Sequence, residues 1–120
     1  MKYYNFLIGI HDYFIRPLIK GKTLLCNIVR KNHGLDKVYP KYHLQIYNNN
    51  KFLIAAKKHI TNNYTLSINE ENFEDSNIIG KLSSNLVGTI FNIYNNGKHP
   101  KEAKNQNEIR QQYGCVTYVM

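Results

Sequence analysis

Short β-branched and apolar runs, separated by turn-forming residues, recur from Thr23 to the end of the chain, and no long helical pattern interrupts them. That rhythm predicts a mainly β fold, because side chains alternate sides of a strand with a period of 2. Thr23 to Arg30 is β-branched and apolar, and Tyr42 to Tyr47 alternates. Asn48 to Asn50 then leads into Lys51 to Lys57, and the pair reads as a hairpin. Tyr64 to Ile68 alternates again, with Tyr64, Leu66 and Ile68 on one face. Leu86 to Tyr94 reads as a longer strand with a bulge at Gly88, closed by a turn at Asn95-Asn96-Gly97. Lys101 to Gln112 is polar, a loop or short helix, and Cys115 to Met120 is a final strand. Short strands at this spacing predict a sandwich or a barrel. The chain stops inside that last apolar run, with no turn or polar tail. An edge strand normally needs a neighbour or protection, so the ending predicts truncation.

Charge is unevenly spread. Met1 to Ile60 holds eleven Lys and Arg against two acids, a charge of +9, whereas Thr61 to Met120 holds five against six, or −1. A basic half implies an anionic partner: nucleic acid, an acidic protein or anionic lipid head groups. Seventeen Asn, fourteen Ile and thirteen Lys against three Arg are what AT-rich coding would produce. The Asn runs are therefore read as turns and not as a prion-like segment, and part of the Lys excess carries no functional signal.

Few residues suggest chemistry. Cys26 and Cys115 both lie in apolar strand-like runs without metal spacing, and read as reduced core thiols of a cytosolic chain. His11, His33, His43, His59 and His99 are scattered, so no metal site is expected. No phosphate loop, catalytic triad or paired carboxylates stand out, so neither catalysis nor a cofactor is expected. Glu70, Glu71, Glu74 and Asp75 cluster in a turn and read as a solvated face. The N-terminal run Tyr3 to Ile10 lacks a signal-peptide cleavage site, and Lys2 excludes N-myristoylation.

One constellation invites a binding hypothesis. Lys57-Lys58-His59 closes a strand and opens a turn ending in Asn62-Asn63. Two ammonium groups on a turn project into solvent and can meet separate phosphates as point charges. The competing reading is a solubilising edge, where Lys blunts strand association.

Several ordered blocks resemble a known family. Phe14-Ile15-Arg16-Pro17, Gly21-Lys22-Thr23 and Cys26-Asn27-Ile28-Val29-Arg30 look like the opening of the Tubby C-terminal domain. Gly34-Leu35-Asp36 with Tyr39-Pro40-Lys41-Tyr42 is similar to its G-[LM]-D…YP-x-Y turn, and Lys51 to Lys58 to its core hairpin strand. Asn63-Tyr64 and Ser67 match an NY-x-x-S strand. The most diagnostic block is Gly80-Lys81-Leu82-Ser83-Ser84-Asn85, with Gly88-Thr89, beside the family's GKLRSN-x-x-GT. Asn96-Gly97, Pro100, Arg110-Gln111 and Tyr118 continue in register.

The resemblance implies a closed antiparallel barrel around a central hydrophobic helix supplied by the far C-terminus. On that basis residues 1–13 are an N-terminal extension, and residues 14–120 are about half of a Tubby-type barrel lacking the helix. It also implies a non-catalytic module that binds phosphatidylinositol bisphosphate or other anionic lipids. Such modules are membrane-tethered adaptors or regulators, cytoplasmic and peripheral at membranes, or nuclear. Carried over residue by residue, the family's basic run falls on Lys57, Lys58 and His59, in a shortened copy, and the GKLRSN lysine falls on Lys81. The arginine of that motif is Ser83 here, and the basic residue that often follows GT is Ile90. Both departures weaken the expected lipid site. Two other classes stay open: a basic nucleic-acid-binding module, and a gene-model fragment with no function of its own.

Overall fold

In the computed structural model, residues 16–32 and 39–119 are described. The extension at residues 1–13, Phe14-Ile15 and Gly34-Leu35-Asp36 lie outside the described residues. Among the described residues, seven strands form one antiparallel sheet: β1 (Cys26–Lys31), β2 (Lys41–Ile46), β3 (Phe52–Lys58), β4 (Asn63–Ser67), β5 (Ile78–Ser84), β6 (Ile90–Tyr94) and β7 (Gln112–Thr117). Their spatial order is their chain order, so the sheet is a meander with β1 and β7 outermost among the described strands. The mainly β expectation holds. The open sheet is consistent with part of the barrel that the resemblance implies. Helical structure among the described residues is confined to two 3-10 turns, Asp75–Asn77 and Gln106–Glu108. Neither is long and apolar enough to cross a membrane.

The strand β5 is absent from the sequence reading, and Leu86–Thr89 is a turn where that reading placed the start of a strand. Asn85 explains the difference. Its Oδ1 accepts the backbone N–H groups of Thr89 and Ile90 at 2.9 and 3.1 Å, and Gly88 sits at φ +72°. A side-chain carbonyl that captures two amides on the far side of the turn competes with a strand ladder. Gly88 supplies the left-handed conformation that lets the turn close.

Direct cross-strand partners share a face, so the register sorts the sheet into two sides. The inner side carries Ile28, Leu44 and Ile54 in one row, and Arg30, Tyr42, Ala56 and Leu66 in the next. Lys58, Tyr64, Leu82 and Ile93 form a third. This side is apolar yet only half-buried, and Ile28 remains 72 % exposed. The outer side carries His43, Ala55 and Ser67 opposite one another. The buried apolar residues among those described are Leu53, Ala55 and Ile78. The β4–β5 connection makes this burial by folding back over the outer side. Ser67 Oγ donates to the Asn72 carbonyl at 2.7 Å, and Asn69 Oδ1 accepts the amides of Glu71 and Asn72 at 2.9 Å. Asparagine here serves as turn chemistry, as the sequence suggested.

Candidate anion-binding site

One row of the outer side is unusual. Lys31, Lys41, Lys57, Thr65, Lys81 and Tyr94 are successive direct partners across β1 to β6. Like charges directly opposite in a sheet oppose folding, so this row works against the stability of the sheet. Two local contacts moderate it. Lys41 Nζ meets Glu71 Oε2 at 2.9 Å, and Lys57 Nζ lies 5.9 Å from the centre of the Phe73 ring. The Lys41 ammonium hydrogen-bonds Glu71 and holds its carboxyl below the usual carboxylate range. No described carboxylate pairs with Lys81.

Lys81 opens onto a hollow of about 290 Å3 whose lining includes His59, Asn63, Lys81, Ser83, Tyr94 and Arg110, with no acid among its residues. The elements that deliver them are distinct. Asn63 and Ser83 are direct partners on β4 and β5, and Lys81 and Tyr94 are partners on β5 and β6. Arg110 arrives from the long connection 95–111. Its guanidinium carbon sits 3.8 Å from the centre of the Tyr94 ring, within cation–π range. That connection is pinned at its base: Asn95 Oδ1 accepts the amides of Gly97 and Gln111, each at 2.9 Å. Gly97 is needed there for close approach, since a Cβ would lie 2.4 Å from the Arg110 Cα. The Asn95-Asn96-Gly97 turn signal thus marks the anchor of a long loop that presents an arginine.

His59 leaves β3 at the turn into β4. Its amide donates to the Asn63 carbonyl at 2.9 Å, and its Nε2 hydrogen-bonds the Thr65 hydroxyl. Partial burial, followed by the nearby Lys57 and Lys81 charges, pushes its pKa down. An anion entering the hollow would reverse the charge contribution. The arrangement can therefore offer a point charge from Lys81, a planar fork from Arg110, an amide from Asn63 and a titratable donor from His59.

The four residues that the sequence singles out do not form one cluster. His59 and Lys81 share the hollow, together with Ser83. Lys57 and Lys58 both belong to β3, not to the turn, and they face opposite sides: Lys57 pairs with Thr65 on the outer row, Lys58 with Tyr64 on the inner one. A second, shallower hollow of about 400 Å3 gathers Lys57, Lys58 and His59 with Ile60 at the strand end. Arg110 is a site residue that sequence reasoning misses. Its only sequence signal is its place in the Arg110-Gln111 block of the resemblance.

The Tub family profile matches residues 14–120, nearly the whole chain. The chain belongs to the Tub family. It is 35 % identical over 116 residues to Tubby-related protein 1 of Homo sapiens, covering 89 % of this chain and 21 % of that protein. Against Tubby protein homolog 1 of Caenorhabditis briggsae the identity is 42 % over 128 residues, covering 96 % and 30 %. Tubby-related protein 3 of Mus musculus is 35 % identical, covering 92 % and 26 %. This Tub-family chain thus spans less than a third of the length of these relatives.

Proposed function

We propose that this chain is a non-catalytic module that binds phosphoinositide head groups at anionic membranes through the outer-face hollow, in the manner of a membrane-tethered adaptor or regulator. The observation that carries the reading is the convergence of Lys81, Arg110 and His59 on one acid-free hollow beside a cross-strand lysine row. A row of like charges that opposes folding gains a compensating partner when an anion binds. Lys81 serves as a compact charge for one phosphate and Arg110 as a bidentate donor for another. Lys57 and Lys58 add diffuse attraction, and Ser83 leaves one phosphate contact weaker than the family's arginine would make it.

The test is co-sedimentation with vesicles of matched surface charge, with and without phosphatidylinositol bisphosphate. Lys81→Ala/Arg110→Ala should lower affinity for the phosphoinositide vesicles at least about tenfold and change binding to the plain anionic vesicles little. Equal losses on both vesicle types would reduce the hollow to a non-specific basic patch. Duplex DNA that displaces the protein from phosphoinositide vesicles, with comparable affinity at each salt concentration, would favour a nucleic-acid module instead.

A further inference from the structure

The same end of the sheet carries a feature that neither the fold nor head-group recognition uses. Two turns meet there: residues 59–62 between β3 and β4, and residues 85–89 between β5 and β6. They are tied together by Asn62. Its Nδ2 donates to the Asn85 and Leu86 carbonyls at 3.3 and 3.2 Å, and its own carbonyl accepts the Ser84 amide at 3.1 Å. With Asn85 capping Thr89 and Ile90, polar bonds hold the paired turns together. Their tips are nevertheless aliphatic: Ile60 is 84 %, Leu86 96 % and Val87 77 % exposed.

Single exposed aliphatics are ordinary, but turn tips favour Gly, Asn, Asp and Ser, and three aliphatic tips on two linked turns are not explained by either rule. The surroundings add a second observation. Lys58 lines a hollow with Leu86 and Val87, and it lines another with Lys57, His59 and Ile60. All six described acids belong to the connections 68–77 and 95–111; the first folds back far enough for Glu71 to meet Lys41, the cross-strand partner of Lys57, but no acid lines either hollow at the turns. The turn between β2 and β3 at the opposite end of the sheet carries Asn48, Asn49 and Asn50 instead. An aliphatic tip beside Lys57 and Lys58, with no acid lining its hollows, matches the boundary between lipid head groups and acyl chains.

We infer that the linked turns form a membrane-inserting wedge: Ile60, Leu86 and Val87 enter the acyl boundary of an anionic leaflet, and Lys57 and Lys58 lie at head-group level. The inference rests on the phosphoinositide reading and adds its orientation, with the sheet standing end-on to the membrane. The apolar contribution is independent of salt, unlike that of the lysines.

The chain contains no tryptophan, so Leu86→Trp makes a single-site reporter. On vesicles containing phosphoinositide and acyl-brominated phosphatidylcholine, its emission should shift to the blue and be quenched. Asn49→Trp, at the opposite end, should show neither change. In parallel, Ile60→Ser/Leu86→Ser/Val87→Ser should lower vesicle affinity about ten- to a hundredfold while leaving affinity for soluble inositol trisphosphate unchanged. All three side chains are exposed, so circular dichroism should match the wild type. An unquenched Leu86→Trp reporter in vesicle-bound protein, or wild-type vesicle affinity of the triple variant, overturns the wedge. Quenching without binding of soluble inositol trisphosphate keeps the wedge and sinks the head-group hollow. Absence of binding to either sinks both.

Discussion

The two sides of the sheet use their residues in opposite ways. The outer side holds the lysine row and the polar hollow, yet it also shelters Leu53, Ala55 and Ile78 beneath the β4–β5 connection. The inner side is the apolar one, with Leu44, Ile54, Leu66, Leu82 and Ile93, and it remains half-open. Hydrophobic composition therefore does not decide where burial occurs here. A covering segment decides it, because area is removed from water only where a second layer exists.

The largest expected effect sharpens that contrast. Ile78→Ala or Leu53→Ala should destabilise by about 2–4 kcal/mol, as large-to-small changes in a packed site do, whereas Leu82→Ala on the inner side should cost under about 2. Urea midpoints with unchanged slopes would report this. Equal costs on both sides would show that a second copy or a partner covers the inner face in solution.

Next in size is the effect of the two lysines that the register separates. Each Lys near an anionic surface is worth about 1 kcal/mol, so Lys57→Ala/Lys58→Ala should cost about 2 kcal/mol, or roughly thirtyfold, in vesicle affinity. The single variants should contribute equally despite facing opposite sides, because both sit at the same strand end. If Lys57→Ala carries the whole loss, the membrane meets the outer face broadside and not the sheet's end.

A smaller gain is expected at Ser83. Its direct partner is Asn63, and it lines the hollow with Lys81 and Arg110. Ser83→Arg should tighten phosphoinositide binding by about 1–2 kcal/mol through a charge-assisted, bidentate contact. Plain anionic vesicles should gain much less. Equal gains on the two would place Ser83 away from any head group.

The smallest effect is proton linkage at His59. Its pKa is lowered in the fold by burial and then by Lys57 and Lys81, so the unfolded chain binds a proton first as pH falls. Stability should therefore be complete above about pH 6.5, the ordinary histidine value, and decline modestly below it. A bound phosphate favours the protonated ring, so head-group affinity should move the other way and rise on acidification. His59→Gln should flatten both pH profiles. Retention of either slope in that variant would assign the linkage to another group.

Much of the fold is legible in the sequence because β2 and β4 alternate, β3 is a short apolar run, and Asn-rich turns separate them. The strand β5 is not, since Gly80, Lys81, Ser83 and Ser84 dilute its apolar pattern, and only pairing on both sides makes it a strand. Leu86-Val87-Gly88 misleads in the opposite direction: its apolar run looks like strand, but Asn85 and the positive φ of Gly88 bend it away. For the site, Lys81 and His59 are visible through motif and charge. Arg110 is hidden by distance along the chain, because its position depends on how residues 95–111 fold back through Gly97. The facing of Lys57 and Lys58 is fixed by strand register, which places successive residues on opposite sides.

Sequential pairing of all seven strands also has a kinetic meaning. Each described strand pairs with the one before and the one after it, so the sheet can zip outward from the β2–β3 hairpin without closing a long loop until β7. Residues 95–111, which present Arg110, form the longest connection between described strands, so β7 and the completed hollow should be the last elements to assemble.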